Sequence, residues 1–147
     1  MRKDVLETYT GLSARLFADG YDPYGGNCLD LAVGFAKAIA SRGKHIKVVL
    51  LLRVDENVPD EEILSHAILR NKQGDYDIGG DRAAYRWVRD FNMAQRANNE
   101  DEVEFIEEEY SENFTDLYET CLKRFNMNNA SRELMEKTYA DMRRVFN

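Results

Sequence analysis

The chain has 147 residues and a mass of 17.0 kDa, with 44% hydrophobic and 32% charged residues. That describes one soluble globular domain with a real core, too short for two domains and too apolar for a disordered chain. A net charge of −7 and a pI near 4.9 weigh against nucleic acid as the main partner, because phosphate binding needs a basic field.

The longest aliphatic run, Val48 to Leu52, is far short of the ~20 residues of a membrane helix. Met1 to Asp4 leads into an amphipathic stretch, not an apolar signal core. The expectation is therefore a cytoplasmic protein, not a membrane one, in which Cys28 and Cys121 are reduced thiols. Only His45 and His66 accompany them and no CxxC occurs, which excludes a finger-like zinc site. No metal or other cofactor is expected.

In chain order, the 3-to-4 spacing of Val5, Leu6, Tyr9, Leu12, Leu16 and Phe17 predicts a helix over Asp4 to Ala18, weakened at Gly11. Asp19 to Asn27 is dense in breakers and reads as a loop. Cys28 to Arg42 is the clearest helix: Asn27 suits the N-cap, Asp30 the first turn and Gly43 the position past the end. It is apolar nearly all round, which predicts a buried central helix.

His45 to Val54 reads as a buried strand, and Asp55 to Glu62 as an acidic loop containing Pro59. Ile63 to Arg70 and Tyr76 to Ile78 read as two further strands, joined by the turn chemistry of Asn71 to Gly74. Asp81 can cap a helix from Arg82 to about Arg96. Val103 to Ile106 suits a short strand or a helical turn. Asn113 to Arg124 and Ala130 to Phe146 read as helices, the second capped by Asn129 or Ser131. The predicted fold is α+β: a central buried helix opening with a cysteine, packed on a small antiparallel sheet, with additional C-terminal helices. One domain spans residues 1–147, with a core over about 24–80 and a helical part over about 81–147.

Three residues carry the chemical signal. Cys28 opens a helix, where free N–H groups and the dipole favour a thiolate, and Gly25 and Gly26 let a backbone or substrate approach. Taken alone, a free cysteine is often a small buried hydrophobe. His66 lies inside an apolar strand, where an imidazole must be hydrogen-bonded. Asp77 is a residue type that strands disfavour. His45, beside Lys44 and Lys47, reads as a surface residue.

Register links the last two. In a hairpin symmetric about Lys72–Gln73, Asn71 opposes Gly74, Arg70 opposes Asp75 and Ile68 opposes Asp77. His66, opposite Gly79, then shares a face with Asp77 at a diagonal separation of ~7–8 Å, so the side chains can meet. Gly79 leaves room above the imidazole. A loop of odd length without a bulge would part them.

Gly25-Gly26-Asn27-Cys28-Leu29-Asp30, followed by a helix, a strand, Ser65-His66-Ala67 and Tyr76-Asp77-Ile78-Gly79-Gly80, resembles the core of the transglutaminase-like and papain-like cysteine enzymes. The Gly-Gly-x-Cys-x-acidic string and the Asp-Ile-Gly end also resemble arylamine N-acetyltransferases. The likeness covers Tyr24 to Gly80. It departs where Tyr24 replaces the arginine usual before Gly-Gly in the acetyltransferases, and where no glutamine precedes Cys28 as it does in the peptidases.

The resemblance implies acyl transfer on a protein or peptide substrate, with Cys28 as nucleophile, His66 as general base and acid, and Asp77 orienting the imidazole. The alternative is an inactive protein-binding module on the same fold. The Cys28 N–H is an expected oxyanion donor, with Asn27, Tyr21 or Tyr24 as candidates for the second and Gly26 at the approach.

Two further features have both plain and functional readings. Arg82, Arg86 and Arg89 fall on one helical face, either solvated or recognising an anion. Glu100 to Glu119 is acidic without a Lys or Arg, either solvated or attracting a basic protein partner. Trp87 and the helically spaced tyrosines read as core.

Overall fold

A computed structural model describes the backbone of residues 1–55 and 58–145 and the side chains of 1–54 and 62–145. The elements run α1 (Lys3–Thr10), α2 (Ser13–Ala18), α3 (Cys28–Ala40), β1 (Lys47–Asp55), β2 (Val58–Asn71), β3 (Gly74–Asp77), β4 (Gly80–Asp81), α4 (Ala83–Ala97), β5 (Ile106–Tyr110), α5 (Phe114–Arg124) and α6 (Arg132–Val145). The fold is α+β. Its antiparallel sheet has the order β4-β3-β2-β1-β5.

Strand alternation divides the core. Val48, Leu50, Leu52, Ala67, Leu69 and Tyr76 join the main cluster with α3, α5 and α6. Val49, Leu51 and Ile68 point the other way, to Ala83, Ala84, Trp87 and Phe105. The helix α3 is buried along nearly its whole length, as its composition predicts, and packs against β1, β2, α5 and α6. Phe35, wholly buried beneath Tyr9 at 4.4 Å between ring centroids, contributes ~1.5–3 kcal/mol by burial.

Several predicted boundaries are corrected. The first helix is two, because the chain turns at Gly11–Leu12. β2 begins at Val58, and Asp55 pairs with Val58, so most of the expected acidic loop is strand; residues 56 and 57 lie outside the described residues. Asp81 lies in β4 opposite Tyr76 instead of capping α4, whose N-cap is Arg82 in the left-handed region. In the segment Val103 to Ile106, expected as a short strand or a helical turn, Val103 to Phe105 are neither; strand begins only at Ile106, where β5 runs on to Tyr110 as an edge strand on β1. Ser131 caps α6, its Oγ accepting from the Leu134 N–H at 3.1 Å.

The acidic segment is engaged by the chain's own cations. Arg70 pairs with Glu107 and Glu109, Lys47 with Glu109, Arg124 with Glu108 and Arg132 with Glu119. A basic partner would have to compete with these contacts. Among the described residues no helix is long and apolar enough to cross a membrane.

Candidate active site

The β2–β3 hairpin has the two-residue loop that the turn residues predict. Asn71 pairs with Gly74, Arg70 with Asp75 and Leu69 with Tyr76, and the Asn71 side chain accepts from the N–H groups of Gln73 and Gly74. Leu69 and Tyr76 face the main core, so Ile68 and Asp77 face the α4 side by alternation. His66 opposes Leu51 on that side. One residue earlier Ser65 is extra, since Leu52 already pairs with Leu64. This β-bulge returns Leu64 to the main core while His66 remains with Leu51 and Ile68.

The two side chains meet. His66 Nε2 lies 2.9 Å from Asp77 Oδ2, with the histidine wholly buried and the aspartate 5% exposed. The other carboxylate oxygen, Oδ1, accepts from the Gly79 N–H at 2.8 Å and from Arg86 at 2.9 Å. Arg86 is itself held by the carbonyls of Asp81 and Gly80. Burial disfavours the Asp77 carboxylate, but the hydrogen bonds from His66 and Arg86 outweigh it and hold its pKa below the ordinary value.

Gly79 serves this cluster differently from the expectation. A Cβ there would come within 2.9 Å of Arg86 Nη1 and 3.3 Å of the Tyr24 ring, so its absence admits the arginine and the tyrosine. The same contact brings the loop before α3 to the end of β3.

Cys28 opens α3 as predicted, as a free and buried thiol. Burial opposes the charged imidazole of His66. The hydrogen bond to Asp77, with Cys28 nearby, overcomes it and raises the pKa to about 9. The second ring nitrogen, Nδ1, is buried with no hydrogen-bond partner among the described residues. Trp87 of α4 stacks on the ring at 5.4 Å between centroids and 10° between planes, and is braced by Phe91 and Phe105. The structure thus joins His66 to Asp77 and sets Cys28 near enough to influence the ring, with no hydrogen bond between Sγ and the imidazole among the described residues.

Other expected site residues are placed differently. Asn27 precedes α3 but makes no capping bond. Its Oδ1 accepts from the Asp22 N–H, and its Nδ2 donates to Asp30 and to the Asn129 carbonyl. It therefore has no spare donor for an oxyanion. The Cys28 N–H donates to the Gly25 carbonyl at 3.1 Å and is likewise engaged. Gly26 is approached by Asn129, not left open: a Cβ there would lie 3.2 Å from the Asn129 Cβ. Tyr21 packs against the main core. Tyr24 is 42% exposed and stacks on Phe17.

The three arginines do not form one anion-binding face. Arg82 lies before the helix with its guanidinium over Tyr85, Arg89 pairs with Asp90, and Arg86 turns inward to Asp77. Tyr85 is exposed and not a core residue, whereas Trp87 packs partly buried against the smaller core cluster and over the imidazole. The helical Tyr9 and Tyr118 are buried as expected.

A cleft of about 240 Å³ borders the site, lined by Tyr24, Asp77, Arg86, Trp87, Asp90 and Phe91. A larger hollow of about 660 Å³, lined by residues such as His45, Lys47, Arg70 and Lys72, contains none of the three central residues, and its size is no argument for chemistry there. Among the described residues no cluster of His, Cys, Asp and Glu could hold a metal ion.

Comparison with protein-family models, with curated proteins and with solved structures finds no match to this chain. The case for chemistry rests on the geometry of the site itself. Sequence reasoning missed Arg86 as a partner of Asp77 and Trp87 as the cover of His66. It also missed the extent of the Asp30 contacts. An arginine and a tryptophan one turn into the helix after an Asp-Ile-Gly-Gly segment were the available signals, but their direction depends on where α4 docks.

Proposed function

We propose that the protein is a cysteine-dependent acyl-transfer enzyme acting on a protein or peptide substrate, related in design to the transglutaminase-like and papain-like enzymes. The observation that carries this reading is the His66 imidazole. One nitrogen is fastened to Asp77 at 2.9 Å, the other is buried and unpartnered among the described residues, and Cys28 acts on the ring from the start of α3.

With Nε2 committed to Asp77, Nδ1 is the nitrogen that exchanges a proton with Cys28 Sγ. As Nδ1 takes the proton of Cys28, the imidazolium that forms is held by Asp77 and the thiolate left behind is the nucleophile. The thiolate attacks the substrate carbonyl carbon, and the carbonyl π pair moves to oxygen. On collapse the leaving amine takes the proton from Nδ1 and an acyl-cysteine remains. Water or an acceptor amine then attacks the thioester, His66 accepts its proton, and the thiolate departs. Asp77 keeps the ring oriented throughout, and Arg86 keeps Asp77 ionised. A chemistry that requires reduced thiols suits the cytoplasm, where we place the protein.

A second reading, an inactive binding module, is favoured by burial: Cys28 is 5% exposed and His66 wholly buried. Iodoacetamide labelling across pH separates the two. Selective alkylation of Cys28 at pH 6, with Cys121 silent, supports the enzyme. Cys28 reacting only as the pH approaches the free-thiol pKa of ~8.5 would sink it. Burial pushes the Cys121 thiol up to about 11, so that thiol is a suitable internal control.

A further inference from the structure

The mechanism above makes no use of Asp30, although this carboxylate is wholly buried in the first turn of the helix that Cys28 opens. Among the described residues it forms no salt bridge. Instead Oδ2 accepts from Asn27 Nδ2 at 2.8 Å and from the Ser131 N–H at 3.0 Å, and Oδ1 accepts from the Tyr118 hydroxyl. Burial raises its pKa against the pull of these donors.

The connections extend on both sides of Cys28. Asn27, which immediately precedes it, also donates to the Asn129 carbonyl at 3.0 Å and accepts from the Asp22 N–H at 2.9 Å. Asp30 therefore joins the loop before the nucleophile, α5 through Tyr118 and the α5–α6 connection through Ser131. Asn129 also closes over Gly26. The α5 helix and the connection that follows it, 88 to 101 residues from Asp30, converge within two residues of Cys28, on the side away from Trp87 and α4.

Resting on the reading of Cys28 as nucleophile, we infer that Asp30 is a positioning residue that fixes the Cys28 backbone against the imidazole. The C-terminal helices are then part of the catalytic frame. A thiol and an imidazole exchange a proton only at hydrogen-bonding separation, and a displacement of about 1 Å can cost ~100-fold in rate. A helix whose first turn is tied on both sides of the cysteine cannot drift by that amount without breaking buried hydrogen bonds. Asparagine is isosteric with Asp30 and keeps one carbonyl oxygen for Asn27 and Ser131, while its amide donates to a reoriented Tyr118 hydroxyl. The role is therefore one of geometry, and the charge itself is dispensable.

The test measures the rate of Cys28 alkylation by iodoacetamide between pH 5 and 10, by mass spectrometry of the Cys28 peptide, in the full chain. The variants are Asp30→Ala, Asp30→Asn, Tyr118→Phe and His66→Ala, with melting temperatures recorded on the same samples. Asp30→Ala should lower the rate at pH 6 by ~100-fold and move the profile toward the ordinary thiol pKa of ~8.5. Tyr118→Phe, which removes one hydroxyl, should move both in the same direction by ~3–10-fold. Asp30→Asn should restore the wild-type profile.

If Asp30→Ala does not fold, the Tyr118→Phe and Asp30→Asn pair decides. Wild-type rates and midpoints in folded Tyr118→Phe protein would overturn the inference, as would an Asp30→Asn profile as damaged as that of Asp30→Ala. The underlying reading fails separately, and takes the inference with it, if wild-type Cys28 already reacts as an ordinary thiol and His66→Ala changes nothing.

Discussion

The two faces of the sheet differ in what they contain. The α3 face is a broad apolar core that takes in Val48, Leu50, Leu52, Ala67, Leu69 and helices at both ends of the chain. The α4 face holds a smaller apolar set, Val49, Leu51, Ile68 and Ala83, and beside it the buried His66 and Asp77 with the half-buried Arg86 and Trp87. Desolvating polar groups is costly unless they are paired. The large face is the main apolar core, with the buried Asp30 at the start of its helix, while the small face gathers the paired groups His66, Asp77 and Arg86. Cys28 sits at the boundary, in the helix of one face and acting on the histidine of the other.

The largest expected effect is at that boundary. Cys28→Ser should lower turnover of an activated acyl ester by orders of magnitude, because a hydroxyl is the weaker nucleophile in a site tuned for thiolate. Its melting temperature should stay near wild type, since His66 Nδ1 is available as a partner for the new hydroxyl. Calorimetry and a steady-state assay on one preparation check both. A stable Cys28→Ser protein with undiminished turnover would remove Cys28 from the chemistry.

Next come truncations that contrast the faces. Leu50→Ala, wholly buried in the main core, should destabilise by about 2–5 kcal/mol. Trp87→Leu, on the half-buried face, should cost less in urea unfolding but slow Cys28 alkylation. A larger loss of stability from Trp87→Leu than from Leu50→Ala would contradict the division.

Arg86→Ala should act on both counts at a smaller scale. It removes a charge-assisted hydrogen bond to a carboxylate that is 5% exposed, a loss of roughly 1.5–3 kcal/mol. The Asp77 pKa should rise, read by carboxyl NMR titration, and Arg86→Lys should restore it only in part because lysine lacks the guanidinium fork.

The last effect is a pH dependence. The folded pKa of His66, about 9, lies above its ordinary value of 6.5. Its contribution is fully present below about 6.5 and declines as pH rises through about 9. Urea unfolding should therefore show stability falling across that window, and His66→Phe should flatten it. The lone tryptophan, stacked on the ring, should report the same event as a change in fluorescence. A fluorescence midpoint near 6.5 would place the imidazole outside the influence of Asp77 and Cys28.

The hairpin register was legible because Asn71 to Gly74 is strong turn chemistry, and alternation then carries His66 and Asp77 to one face. The helix start at Cys28 was legible from the glycines before it and the apolar run after it. The oxyanion donors were misjudged. The first turn of a helix has free N–H groups in isolation, but here Gly25 folds back to take the one on Cys28, and Asn129 and Asp30 engage the Asn27 side chain. Gly25 and Asp30 are local partners, but Asn129 lies 102 residues from Asn27, beyond any local pattern. The split of the first helix at Gly11 was visible as a weakness, though not as a break.

Local pattern by itself determined the α+β class, the buried central helix and the pairing of His66 with Asp77, because periodicity, capping and turn preference act over a few residues. Only the tertiary structure decided that Arg86 turns to Asp77 while Arg82 and Arg89 do not, that Trp87 covers the imidazole, and that the C-terminal helices grip the start of α3 through Asp30. Each of these depends on where one element docks on another. Docking follows from the burial of whole faces, and no residue's neighbours along the chain encode it.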